Sequence, residues 1–294
     1  MVAKPFLKWA GGKSQVLPYI RCKYPAGLGK TITKYAEPFV GGGAVLFDVL
    51  GRYDMKEVYI SDINKELIAA YIAIRDNATE LIDALKSLEM QYLMANDDAR
   101  KEIYYASRDR FNVLKASADE SVELSTLFIF LNKTCFNGLY RVNSHGAFNV
   151  PQGRYKTPKI CDERNLFAVS GSLQGVAVVC ASYKEAYAFI NKDTFAYFDP
   201  PYRPLTTTAS FTSYTENGFG DKEQAELAGF IDKISKCGAH IVASNSDPKN
   251  VNEQDDFFDH LYSQHKITRV SAGRSINSAG TSRGKINELL ICNI

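Results

Sequence analysis

The stretch "KYAEPFVGGGAVLFDVLG", Lys34 to Gly51, decides the fold. It reads as a short strand, three consecutive glycines and then a helix, whose buried side carries Ala44, Leu46, Phe47 and Leu50. "EVYISDIN" (57–64) is the next strand and delivers Asp62 to its carboxyl end. "KELIAAYIAIRDN" (65–77) is the helix after it. A βαβα run of this kind opens a parallel sheet.

Outward from that run the pattern changes and then returns. Residues 79–132 read mainly as helices, with "TELIDALKSLEM" and "VELSTLFIFLN" the clearest. Residues 133–160 are rich in Gly, Asn, Pro, Tyr and Arg and show little periodicity. A loop this long inside a folded domain is usually functional, and Phe136, Tyr140, Phe148 and Tyr155 within it argue for function. Alternation resumes with the strand "VAVVC", a helix at "YKEAYAFI", and the strand "TFAYFDP" ending at Asp199. Next come the helix "KEQAELAGFIDKIS", the strand "HIVAS", a helix near "VNEQDDFFDHL", and strands at "SQHKITRV" and "NELLICN". The expectation is an α/β, Rossmann-like doubly wound sheet, residues 1–67 plus 176–294, interrupted by an inserted helical and loop domain, 68–175.

Composition narrows the classes. With 294 residues, 45% apolar and 12% aromatic, the chain supports a real core. It has no run of about 20 apolar residues, and "MVAKPFLKWAGGK" has no signal-like apolar segment. A soluble, cytoplasmic protein with no membrane partner is expected. The six cysteines form no C-x-x-C pair and the four histidines no H-E-x-x-H pattern, so no metal is expected.

The net charge of +2 is unevenly spread. Residues 1–34, 133–160 and 266–285 contain no Asp or Glu and together carry +17, leaving −15 elsewhere. Three acid-free basic segments suggest one basic face, and nucleic acid is the usual polyanion for such a face.

Ligands of doubly wound sheets bind beyond the carboxyl ends of the strands. Gly41–Gly43, Asp62 and "DPPY" (199–202) should lie there. Asp62, 19 residues beyond Gly43, stands where a carboxylate accepts both ribose hydroxyls. A dinucleotide fingerprint needs a third glycine at position 46, which is Leu46. S-Adenosylmethionine has no phosphate and does not need it. "WAGGKS" (9–14) resembles the end of a phosphate-binding loop, but Leu7 stands where the first glycine of that loop belongs. In DPPY the two prolines fix the backbone and remove N–H donors. An acidic side chain and neighbouring carbonyls then face a donor-only amine, with Tyr202 offering a flat face to a base.

"FLKWAGGK", "EPFVGGG", "SDIN", "FNGLYRVN", "FNVPQGRYK" and "DPPY", in this order, resemble the Dam-type adenine-specific DNA methyltransferases of the alpha group, GATC-type modification methylases included. The likeness runs essentially end to end. It implies S-adenosylmethionine as methyl donor, S-adenosylhomocysteine as product, and double-stranded DNA as partner, and it leaves open whether a restriction endonuclease of the same specificity is a companion or the enzyme works without one. It implies Asp199, Pro200 and Tyr202 as catalytic. Trp9, Lys13, Gly41, Gly43, Asp62 and Asp199 would bind the cofactor, Lys13 by pairing with its methionine carboxylate. Lys8, Phe136, Leu139, Arg141, Pro151 and Tyr155 would bind DNA, with Phe136 as a wedge or stacking residue and Leu139 and Arg141 on bases. Arg154, Lys156, Arg274, Arg283 and Lys285 would hold phosphates.

Three other readings stay open on sequence alone. A nicotinamide oxidoreductase would use Gly41–Gly43 and Asp62 but leaves DPPY without a role. A catalytically inert DNA-binding or P-loop module is the second. The third is methyl transfer to the exocyclic amine of cytosine or to a protein amide.

Overall fold

The computed structural model describes residues 2–9, 11–203, 219–273 and 285–293. Its seven strands are β1 (Lys34–Pro38), β2 (Glu57–Asp62), β3 (Ala177–Cys180), β4 (Thr194–Phe198), β5 (His240–Ser246), β6 (Lys266–Gly273) and β7 (Lys285–Cys292). They form one sheet in the order β3-β2-β1-β4-β5-β7-β6. β1, β4 and β5 pair in parallel, while β7 runs antiparallel to both β5 and β6. This mixed, mostly parallel sheet agrees with the Rossmann-like expectation.

Contacts divide the chain into two units. One comprises Met1–Gly12, Gly41–Arg52 and Ser61–Cys180; the other comprises Lys13–Val40, Tyr53–Ile60 and Ala181–Ile294. The second unit has the apolar centre expected of strands buried on both faces. Every residue of β4 is buried, and Phe198, Leu227, Ile231, Ile241, Phe258 and Leu289 belong to one core cluster. Helix α8 (Asp221–Lys236) contributes Leu227, Ala228, Ile231 and Ile234, a spacing of three and four that keeps one face inward.

The first unit is mainly helical. Helices α3 (Lys65–Asp76), α4 (Ala78–Met94), α5 (Asp97–Ala116), α6 (Val122–Thr134) and α7 (Glu163–Ser172) follow the short α2 (Ala44–Leu50). Asn64, Asn96 and Ser121 each accept a backbone N–H at the start of α3, α5 and α6, which explains where these helices begin. Ten residues of α6 are buried, so it is the axis of this unit. Its N-terminal segment is fastened by side chains. Asn165 accepts from the Lys4 N–H and donates to the Lys4 carbonyl, both at 2.9 Å.

Two expected helices are shorter than the pattern suggested. "YKEAYAFI" forms a 3-10 helix, Tyr183–Ala188. The helix near "VNEQDDFFDHL" is only Phe257–Leu261, because Asn252 and Asp255 accept the N–H groups two residues on and hold turns instead. α7 was not foreseen, and the strand expected at "SQHKITRV" starts only at Lys266, after a turn closed by the His265 N–H on the Tyr262 carbonyl.

Candidate functional site

β4 runs buried to Phe198 and releases Asp199 at its carboxyl end. Asp199 Oδ1 lies 2.9 Å from Lys13 Nζ and accepts from Ser244 Oγ at 2.9 Å. Ser244 shares a second hydrogen bond with the Tyr197 hydroxyl, 2.9 Å. Lys13, only 4% exposed, also donates to the Tyr202 hydroxyl at 2.8 Å. That hydroxyl in turn donates to Glu288 Oε2 at 2.8 Å, and Glu288 lies 4.0 Å from Lys13. Two carboxylates therefore share one buried ammonium.

Electrostatics follow from that imbalance. Burial pushes the Asp199 carboxyl up, against the opposing pull of Lys13 and Ser244. Burial likewise raises Glu288, with Lys13 and Tyr202 opposing. The Tyr202 phenol is pushed up by burial and by both carboxylates, so it remains a neutral donor. The turn itself is braced: Gln224 donates to the Pro201 carbonyl at 3.0 Å and accepts from Asn245 at 3.0 Å. Arg203 is clamped by Asp221 and Asp255 at 2.6 and 2.7 Å.

In the first unit the glycine turn carries its own set of contacts. Gly41 and Gly43 are left-handed, with φ of 47° and 71°. A Cβ on Gly41 would fall 2.8 Å from Trp9, and one on Gly43 would fall 2.5 Å from the Tyr71 hydroxyl. Asp62 Oδ2 accepts from the Gly41 N–H at 3.2 Å, and its Oδ1 accepts from the Asn64 N–H at 3.0 Å. Burial raises Asp62 while these backbone donors lower it. Each oxygen keeps acceptor capacity for a further hydroxyl.

The long loop of this unit is tied to the segment before Trp9. Asn132 accepts from the Lys8 N–H (2.8 Å) and donates to the carbonyls of Lys8 (2.7 Å) and Gly138 (3.1 Å). Lys8 Nζ sits 4.0 Å above the centre of the Tyr155 ring. The Phe136 N–H donates to the Pro151 carbonyl at 2.9 Å, and Phe136 is 52% exposed. Arg141 is exposed and donates to Asn149 at 2.8 Å. Beside these lies a cleft of about 520 Å³, lined mainly by Lys8, Lys133, Arg154, Tyr155, Lys156 and Lys159. Burial, with Lys8 and Lys159 nearby, pulls the Lys133 ammonium down to about 8.

The structure thus brings Lys13, Asp199 and Tyr202 together in one unit, and Trp9, Gly41, Gly43 and Asp62 together in the other. Lys8, Phe136, Leu139, Arg141, Pro151 and Tyr155, expected to bind DNA, all belong to the latter. Arg274 and Arg283 lie outside the described residues, and Lys285 opens β7. Sequence reading missed Ser244, Glu288, Asn132 and Lys133. Glu288 had a signal, a lone acid ahead of "LLIC"; Lys133 and Asn132 acquire their roles only through tertiary contacts. Phe39, just before the glycine turn, holds φ at 89°, a conformation that costs a non-glycine residue about 1–3 kcal/mol and tends to persist at functional sites. Among the described residues no group of three or more His, Cys, Asp or Glu is placed to hold a metal ion, and no helix is long and apolar enough to cross a membrane.

Comparison with known proteins shows the family. Residues 9–276 match the model of the D12 class N6 adenine-specific DNA methyltransferases. The type II methyltransferase M.MjaIII of Methanocaldococcus jannaschii is 50% identical over 295 residues, covering 100% of both chains. A DNA adenine methylase of Vibrio cholerae is 35% identical over 288 residues, 98% of this chain and 95% of that one. The DNA adenine methylase of Escherichia coli K12 is 33% identical over 287 residues, 98% and 94% of the two chains. With that match over residues 9–276 and relatives this similar along nearly their whole length, the chain belongs to the D12 class of N6 adenine-specific DNA methyltransferases.

Proposed function

We propose that this adenine-specific DNA methyltransferase takes its methyl group from S-adenosylmethionine and places it on the exocyclic amine of an adenine flipped out of double-stranded DNA, within GATC. The observation that carries the reading is the ion pair of Asp199 with buried Lys13, at the end of β4 and at the head of DPPY.

The residues fit the cofactor. The bare backbone of Gly41 lets the Trp9 ring pack against the glycine turn, and Asp62 retains acceptor capacity for ribose hydroxyls. Trp9, Gly41, Gly43 and Asp62 would hold the adenosyl group. Lys13 would hold the methionine carboxylate, and Asp199 would border the amino acid part. When bound, S-adenosylmethionine supplies a sulfonium methyl, itself a strong electrophile, and leaves as S-adenosylhomocysteine; no metal is proposed.

The adenine amine is a weak nucleophile because its lone pair is delocalised into the ring. Asp199 would accept one of its N–H groups and the Pro200 carbonyl the other, holding the nitrogen closer to tetrahedral. Lys13 and Ser244 oppose the burial that raises Asp199 and so favour its acceptor-only form. Orientation of this kind lowers a barrier by up to about 7–11 kcal/mol in ideal cases. Tyr202 would stack on the base with its hydroxyl held between Lys13 and Glu288.

Flipping costs a few kcal/mol. Residues 68–175 are proposed as the target-recognition insertion that offsets it. Phe136 would be the wedge and Leu139 and Arg141 would read base edges. Lys8, Pro151 and Tyr155 would support the readout, with Arg154 and Lys156 on phosphates. A relative named a type II methyltransferase supports a companion restriction endonuclease, and a cytoplasmic location fits that pairing.

The test is methylation of a plasmid by the purified protein with labelled S-adenosylmethionine, followed by mapping of modified bases. Label on adenine within GATC is expected. Label at unrelated sequences would overturn the proposed specificity.

A further inference from the structure

Tyr140 lies between Leu139 and Arg141, the two residues proposed to read bases, yet it is itself buried at 8% exposure. Its ring stacks on Trp9, with centroids 6.1 Å apart and planes 27° apart. Its hydroxyl donates to Glu66 Oε2 at 2.8 Å. Glu66 is itself buried and paired with Lys115. Burial and the Glu66 charge keep this phenol neutral, hence a donor.

Both contacts lead to groups assigned above to the adenosyl moiety. Trp9 packs against Gly41, where an added Cβ would strike its ring. Glu66 sits in the first turn of α3, whose cap residue Asn64 donates its backbone N–H to Asp62. One side chain of the target loop therefore touches the tryptophan on one side of that site and, through α3, the frame that holds its aspartate. A second tie runs in parallel, since Asn132 binds the backbone of both Lys8 and Gly138.

We propose that Tyr140 is a positioning residue that couples target-loop engagement with DNA to the cofactor-binding surface at Trp9 and Asp62. The proposal rests on the reading of those residues as the cofactor site. DNA that seats Leu139 and Arg141 fixes the ring between them, and the ring fixes Trp9. By reciprocity, bound cofactor that orders Trp9 orders the loop. Packed aromatic stacks transmit such shifts because they are close-packed rather than fluid.

The chain contains one tryptophan, so its emission reports on Trp9 alone. A 20-base-pair duplex containing GATC is titrated into the protein, with binding followed independently by anisotropy of a labelled strand. S-Adenosylmethionine affinity is then measured with and without the duplex. In the wild type, DNA alone is expected to change Trp9 emission, and the two ligands to strengthen one another at least about five-fold, the lower end of ordinary coupling.

In Y140F the ring remains but its tether is lost. Each ligand alone should bind within about three-fold of wild type, while the mutual enhancement falls to within two-fold of unity. E66Q keeps an acceptor for the Tyr140 hydroxyl but breaks the ion pair with Lys115. It should retain the enhancement while losing thermal stability. A merely structural role would make enhancement track stability across the two variants, and that result overturns the proposal. So does wild-type protein that binds both ligands independently with Trp9 emission unchanged. Failure of S-adenosylmethionine to bind, with the Trp9 response to DNA intact, would instead sink the cofactor reading and leave the link between loop and tryptophan standing.

Discussion

The cluster at the end of β4 and the long loop of the helical unit follow opposite electrostatic plans. At β4 two carboxylates crowd one lysine, all largely buried, and every charge has a short, directed partner. In the loop and its cleft, lysines and arginines gather with a single acid, Asp162, among the lining residues. Burial and pairing fix protonation states and geometry, as the methyl transfer proposed for this cluster requires. Exposed, unevenly balanced cations leave charge available to a polyanion, at the price of mutual repulsion. The contrast shows in the titrating groups: burial raises Asp199 and Glu288 towards neutrality, and it lowers Lys133 towards neutrality.

The contrast is broken most severely by Asp199→Ala. Methyl transfer should fall by about 10²–10⁴-fold, the range for a positioned acid–base group. DNA affinity measured by anisotropy should stay near wild type. A parallel loss of DNA binding would mean that the two plans are not separable.

Arg141→Ala attacks the other plan. Discrimination against a substituted base pair in the site should drop by about 1–3 kcal/mol, the worth of one bidentate contact. The turnover number on the best site should change less than specificity, as competition between duplexes would reveal.

Gly43→Ala tests the glycine turn. Its φ of 71° and the approach of the Tyr71 hydroxyl leave no room for a methyl group. A loss of about 1–3 kcal/mol of stability is expected by denaturant unfolding. A neutral result would show that the turn can relax.

The smallest effect concerns pH. Lys133 titrates near 8 in the folded protein, below the ordinary lysine value of about 10.4. From about pH 8 to 10.4 the unfolded chain binds more protons, so this group's contribution to stability rises with pH. Its contribution to DNA binding moves the other way, because the charge is lost. Affinity should fall a few-fold from pH 7 to 9 at fixed salt, and Lys133→Arg should flatten that dependence.

Much of this was legible in the sequence, for a physical reason. Gly41–Gly43 followed by Asp62, and DPPY after "FAYF", are local patterns in which backbone demands and chemistry coincide. The α/β class and the seven strands follow from alternation, whereas the order of the strands in the sheet does not. Glu288 was not legible as a partner of Tyr202, because 86 residues separate them and only the pairing of β7 with β5 delivers the carboxylate. The shortness of α9, Phe257–Leu261, was not legible because Asn252 and Asp255 compete locally with the helix. Asn132 reads as an ordinary helix-end residue until Lys8 and Gly138 are folded against it. The basic segment containing Arg274 and Arg283 was legible as charge, and those two lie outside the described residues.

Asn132 has one further consequence. Proteases grip their substrates as an extended strand, using the N–H and C=O of residues beside the scissile bond. At Lys8 both groups are already taken by a single asparagine side chain that imitates a neighbouring peptide. Although the Lys8 side chain is exposed, trypsin should therefore spare the Lys8–Trp9 bond in the folded enzyme and cut it once Asn132→Ala frees that backbone.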